Sequence, residues 1–199
     1  MSTMRTFRRI CIYCGSHKGL DPHFAEVARA VGEHLARSNI GLVYGGGKVG
    51  LMGEIADAAL RAGGQVFGVI PEKLRDVEVG HDGLTELFVV DSMHARKMMM
   101  AQLSDAFIAL PGGFGTLEEL FEATTWLQLG YHRKPVGLLN AGGYYDHLLA
   151  FLDHAAQQGL VLAEHRPLML SAPDIVGLLE MMAHVEIPHF YLGHAPPRL

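Results

Sequence analysis

The decapeptide Leu110-Pro111-Gly112-Gly113-Phe114-Gly115-Thr116-Leu117-Glu118-Glu119 joins an apolar strand to a helix through three glycines and closes on two carboxylates. Glycines at this spacing let the backbone turn sharply, so that successive N–H groups can face one anion. The start of the following helix favours the same negative charge. A bound phosphate with a carboxylate close by is the chemistry these residues offer. They also admit a local explanation, because Thr116-x-x-Glu119 has the spacing of a capping box. The two are compatible, since a carboxylate fixed in a first helical turn is well placed to meet a ligand held there.

A second cluster, Ser92-Met93-His94-Ala95-Arg96-Lys97, opens a helix with two adjacent cations in its first turn. Positive charge is mildly unfavourable there, which points to a role other than helix stability. Arg96 can grip an anion bidentately and Lys97 offers a point charge; the plain alternative is a solvated surface pair. The Met98-Met99-Met100 run suits core packing. A third segment, Gly45-Gly46-Gly47-Lys48-Val49-Gly50, matches GxGxxG, with Glu72 after the next strand. That pattern suits a dinucleotide, although the loop follows the second strand rather than the first. A tight turn with close helix packing is the plain alternative.

These clusters need a scaffold that brings strand ends together. Short apolar runs at 9–13, 41–44, 65–70, 86–90, 106–110 and 136–139 alternate with helical segments at 22–38, 50–62, 93–103, 116–129, 144–158 and 173–183. This alternation predicts an α/β protein with a Rossmann-like, doubly wound parallel sheet in three αβα layers. Asp21-Pro22, Ser92 and Ala172-Pro173 read as helix starts, and Gly63-Gly64 as a stop. The expected carboxyl strand ends supply Gly15-Ser16, Gly45 to Gly47, 91–97 and 111–116, and one small nucleotide could touch all four.

The chain of 199 residues, 49% hydrophobic, suits a single domain with a core at about 8–184 and an irregular tail at 187–199. A formal charge of -5 and the lack of a basic run argue against nucleic-acid binding. No stretch approaches the roughly 20 apolar residues of a membrane span, so a cytoplasmic location is expected. Cys11 and Cys14 form a CxxC along a strand, where core thiols are expected rather than a redox pair. The twelve histidines show no ligand spacing, and no bound metal is expected.

The motif Pro111-Gly112-Gly113-x-Gly115-Thr116-x-x-Glu119, together with Met93-His94-x-Arg96-Lys97 and Tyr44-Gly45-Gly46-Gly47-x-x-Gly50-Leu51-Met52-Gly53, resembles the LOG (Lonely Guy) family over about residues 10–179. The resemblance implies a cytokinin-activating phosphoribohydrolase that cleaves the N-glycosidic bond of a purine nucleoside 5′-monophosphate such as AMP or N6-isopentenyl-AMP. It implies Arg96 and Glu119 as the catalytic pair. Substrate contacts are implied at Ser16, Gly45, Gly46, Gly47, Glu78, Met93, Lys97, Gly112, Gly113, Phe114, Gly115, Thr116, Leu117, Glu118 and Thr125. Family members are often labelled lysine decarboxylases, but no pyridoxal phosphate site is found here, so no cofactor is expected. Phe114 stands where the family often has tyrosine. A homodimer is also implied, with Trp126 and Leu129 as a candidate contact surface. The rival readings are a non-catalytic nucleotide carrier on the same scaffold and a nicotinamide enzyme.

Overall fold

The computed structural model describes residues 4–75 and 80–187. Seven strands, β1 (Arg9–Tyr13), β2 (Gly41–Tyr44), β3 (Val66–Pro71), β4 (Glu86–Val90), β5 (Ala106–Ala109), β6 (Val136–Leu139) and β7 (Met169–Ala172), form one sheet in the order β4-β3-β2-β1-β5-β6-β7. Every pairing is parallel. The connecting helices are α1 (His23–Arg37), α2 (Gly50–Arg61), α3 (Glu72–Arg75), α4 (Met93–Leu103), α5 (Phe114–Gln128), α6 (Asp146–Gln157) and α7 (Ile175–His184).

The period-two alternation of strand side chains explains the three layers. Ile10 and Ile12 of β1 pack with Leu35 of α1, Ile55 of α2 and Leu178 of α7 on one face. Cys11 and Tyr13 pack with Met100 of α4, Leu120 of α5 and Leu152 of α6 on the other. Both faces of the central strands are thus covered, which accounts for their near-continuous apolar sequence. The two thiols are free and buried. Burial, reinforced by the charge of Glu119, pushes both far above their ordinary range, so they are core thiols.

Four sequence expectations need correction. Helix α1 starts at His23 with Pro22 rather than Asp21 as its N-cap, although the Asp21 carboxylate accepts from the His23 N–H at 2.9 Å. A seventh strand, β7, extends the sheet beyond β6, with Val136 opposite Met169. Helix α5 starts at Phe114 with Gly113 as its N-cap and no side-chain cap bond, so Thr116 and Glu119 do not form a capping box. Its start is set by the glycine turn itself. At α7 the cap is Asp174, whose carboxylate accepts from the Gly177 N–H, rather than Ala172. Ser92 does cap α4, accepting from the Ala95 N–H at 3.2 Å.

Candidate active site

β1 has β2 on one side and β5 on the other, and the chain reverses its direction of travel across the sheet at this point. Crevices open at such switch points, beyond the carboxyl ends of the strands. Here a cleft of about 440 Å³ is lined by Cys14 to Gly19 after β1, Pro111 to Thr116 after β5, Phe24, Leu51, Met52, Arg96, Glu119 and Tyr144. That volume lies in the range of small-molecule sites.

The phosphate-type loop forms one wall. Gly15 donates to the Pro111 carbonyl at 3.2 Å, which stitches the ends of β1 and β5 together. Gly112 has no room for a side chain: an added Cβ would lie 2.1 Å from Thr116 Oγ1 and 2.9 Å from the Gly15 nitrogen. Gly113 and Gly115 are exposed and would meet nothing within 4 Å. The first N–H groups of α5 have no helical partner and so are available to an anion.

Arg96 is buried, and its guanidinium is held by one carbonyl just past the end of β2 and one within β3. Nη2 donates to Gly45 O at 2.9 Å and Nε to Val69 O at 3.1 Å. An added Cβ at Gly45 would lie 2.0 Å from Nη2, so this glycine makes space for the arginine. Gly46 has φ +79°, and Gly50, at φ +60°, abuts the Ser16–His17 backbone, where a Cβ would lie 2.2 Å from Ser16 C. The GxGxxG segment therefore seats Arg96 and packs the β1 loop. Its residues Gly45, Gly46 and Gly47 are buried and are not among those lining the cleft.

Lys97 follows Arg96 but turns away, as neighbours about 100° apart on a helix must. Its buried ammonium bonds to Glu118 and, at 3.0 Å, to Glu122 Oε2, tying α4 to α5. Burial works to lower its pKa, but the two carboxylates prevail and it is raised. The turn that sends Glu118 toward Lys97 leaves Glu119, on the adjacent face of α5, lining the cleft with Arg96.

Of the sequence-derived site residues, the structure thus gathers Ser16, Arg96, Gly112, Gly113, Phe114, Gly115, Thr116 and Glu119 around one cavity. Gly45, Gly46, Gly47 and Met93 lie behind or beside Arg96, with Met93 Sδ 3.9 Å from Nη1. Lys97 and Glu118 form the α4–α5 tie, Leu117 packs against the core, and Thr125 is exposed farther along α5. Glu78 lies outside the described residues. Sequence reasoning missed several lining residues, among them His17, Lys18, Phe24, Met52 and Tyr144. The rule that strand ends converge would have flagged Tyr144, which closes the Gly142-Gly143 turn after β6. Among the described residues no group of three His, Cys, Asp or Glu is placed to hold a metal ion.

A parallel sheet with a cleft at its switch point, floored by a fixed arginine and walled by a glycine-rich helix start, defines a Rossmann-like α/β protein. Residues 52–182 match a family described as "Possible lysine decarboxylase". The chain is 51% identical over 176 residues to a probable cytokinin riboside 5′-monophosphate phosphoribohydrolase, LOGL9, of Oryza sativa subsp. japonica, covering 88% of this chain and 78% of that protein. It is 48% identical over 188 residues to the cytokinin riboside 5′-monophosphate phosphoribohydrolase LOG7 of Arabidopsis thaliana, covering 94% and 86%. Among solved structures, the molybdenum cofactor carrier protein of Chlamydomonas reinhardtii shares the fold at 23% identity and a TM-score of 0.64, over 86% of this chain and 93% of that one. The chain belongs to the LOG family of cytokinin riboside 5′-monophosphate phosphoribohydrolases.

Proposed function

We propose that the protein hydrolyses the N-glycosidic bond of purine nucleoside 5′-monophosphates, with N6-modified AMP as the signature substrate, releasing free base and ribose 5-phosphate. The observation that carries this reading is the shared cavity of Arg96, Glu119 and the N-terminus of α5, in a chain about half identical to phosphoribohydrolases.

The 5′-phosphate sits against the N–H groups of Gly113 to Thr116, where binding energy remote from the reacting carbon positions the ribose. As the C1′–N9 bond breaks, its electron pair leaves with the purine and positive charge builds on the ribose ring. The Glu119 carboxylate stabilises that charge and orients the water that adds to C1′. The departing purine takes up a proton on its ring. Arg96, immobilised by Gly45 and Val69, contributes a fixed positive charge, either toward the leaving base or toward the phosphate. Ser16 joins the contact set from the β1 loop, while Lys97 and Glu118 hold α5 in register with α4.

The test incubates the protein with AMP and N6-isopentenyl-AMP and follows base release by chromatography. Wild type yields base and ribose 5-phosphate, and Glu119→Gln loses about 10²–10⁴-fold in kcat. Saturable AMP binding without turnover would instead assign a carrier. The same reading implies a cytoplasmic homodimer. Of the expected contact pair Leu129, at the end of α5, is exposed, whereas Trp126 packs partly buried against the core and Phe121 is exposed on the same helix. Light scattering of the eluted protein and cell fractionation check the two points.

A further inference from the structure

Four consecutive carbonyls run through the phosphate-type loop, and each has a hydrogen-bond donor. Tyr145 Oη donates to Leu110 O at 2.6 Å, Gly15 N–H to Pro111 O at 3.2 Å, Tyr144 Oη to Gly112 O at 2.7 Å and Leu117 N–H to Gly113 O at 3.0 Å. A loop that must present N–H groups to an anion is helped when its carbonyls are committed elsewhere, because a carbonyl oxygen facing a phosphate repels it. Three of these four donors are backbone groups or a buried phenol. The fourth, Tyr144, is a half-exposed side chain that itself lines the cleft.

The bond it makes falls at the weakest point of the loop. The Gly112–Gly113 peptide is flanked by two residues without side chains and is therefore the easiest in the loop to rotate. In a trans peptide the C=O and N–H point in opposite directions, and the described chain contains no cis bonds. Fixing the Gly112 carbonyl on Tyr144 consequently fixes the direction of the Gly113 N–H. The phenol itself is held from both sides: Phe24 meets the Tyr144 ring edge-on at 5.4 Å, and Tyr145 does so at 4.8 Å. Behind it, Asn140 Oδ1 accepts from the Tyr145 N–H at 2.7 Å, anchoring the turn after β6.

We propose that Tyr144 is a positioning residue of the phosphate site, locking the Gly112–Gly113 peptide with its carbonyl turned out of the anion cradle. The proposal rests on the reading that the 5′-phosphate sits at Gly113 to Thr116. Tyr144 is not a phosphate ligand by donation, because its hydroxyl has one proton and the Gly112 carbonyl takes it. Its effect is on how well the loop receives the anion, so it acts on binding of phosphorylated ligands and not on cleavage as such.

Tyr144→Phe removes one exposed oxygen and leaves both ring contacts in place. Steady-state kinetics with AMP and adenosine, alongside ribose 5-phosphate affinity measured by calorimetry, separate the possibilities. The expected result is a KM for AMP and a Kd for ribose 5-phosphate that rise about three- to tenfold, the range for loss of one neutral hydrogen bond. Kinetics with adenosine change less than those with AMP, so the AMP preference shrinks. If wild type prefers AMP and Tyr144→Phe keeps that preference in full, the role of Tyr144 is overturned while the phosphate site stands. If wild type shows no preference for AMP over adenosine, the phosphate-site reading fails first and the proposal with it.

Discussion

Arg96 shows how a cleft-lining cation is made rigid. Its side chain is fastened to the Gly45 carbonyl just past β2 and to the Val69 carbonyl within β3. The space it occupies exists because position 45 has no side chain. Gly45→Ala therefore displaces the guanidinium while leaving the strand pairing of β2 intact. A misplacement of about 1 Å at such a site costs on the order of 100-fold in rate, so kcat/KM falls by about that much while the far-ultraviolet circular dichroism stays unchanged. An unaltered kcat/KM would show that Arg96 tolerates relocation. The glycine pattern was plain in the sequence, but its purpose was not. A missing side chain leaves room for a phosphate or an arginine alike, and only the fold says which.

At the scale of elements, the α4–α5 tie and the turn after α5 carry separate predictions. Lys97→Met removes the buried cation and leaves Glu118 and Glu122, both partly exposed, without their partner. The cost is about 1–3 kcal/mol, below that of breaking a fully buried pair because water reaches both carboxylates. Urea unfolding reads it as a lowered midpoint with an unchanged slope. His132, packed on Phe107, donates from Nε2 to the Ala123 carbonyl and accepts at Nδ1 from the Lys134 N–H. Burial is the main cause of a pKa pushed down to about 4. As pH falls below about 6.5 the unfolded chain takes up a proton that the folded chain refuses until about 4. Stability is therefore full above that window and declines through it, by about 1–3 kcal/mol once exposure is allowed for. His132→Gln flattens this acid limb in denaturation measured from pH 7 to 4; an unchanged limb would place the titration elsewhere. The divergence of Arg96 and Lys97 followed from helix geometry, but which of the two faced the cleft did not, since that depends on where α5 packs.

The whole molecule was legible in its alternation of strands and helices and in the convergence of strand ends. It was less legible at its margin, where β7 is four residues long and has no β-branched or aromatic side chain to mark it. Its pairing with β6 supplies what its own composition lacks. The start of α5 is displaced by two residues from its expected place because Thr116 looks like a cap in isolation, whereas Gly113 caps the helix, Phe114 begins it and Thr116 is buried. Because the cleft joins loops from several strands, an occupant stabilises the molecule as a whole. Ribose 5-phosphate at about 100 times its Kd adds about 2.7 kcal/mol, an upward shift of about 5–10 °C in the unfolding midpoint for a chain of this size. A midpoint indifferent to the ligand would mean that the folded chain does not bind ribose 5-phosphate.

The strand order also governs when the site can exist during synthesis. β1 to β4 are consecutive in the chain and contiguous in the sheet, so they leave the ribosome as one half-sheet with β1 at its open edge. That edge stays unpaired until β5 has been made and Ile10 can meet Ala106. Arg96 lies before that junction and Glu119 after it. The nascent chain therefore completes the floor of its cleft before it has a wall, and the capacity to recognise a ligand arrives only when the central seam closes.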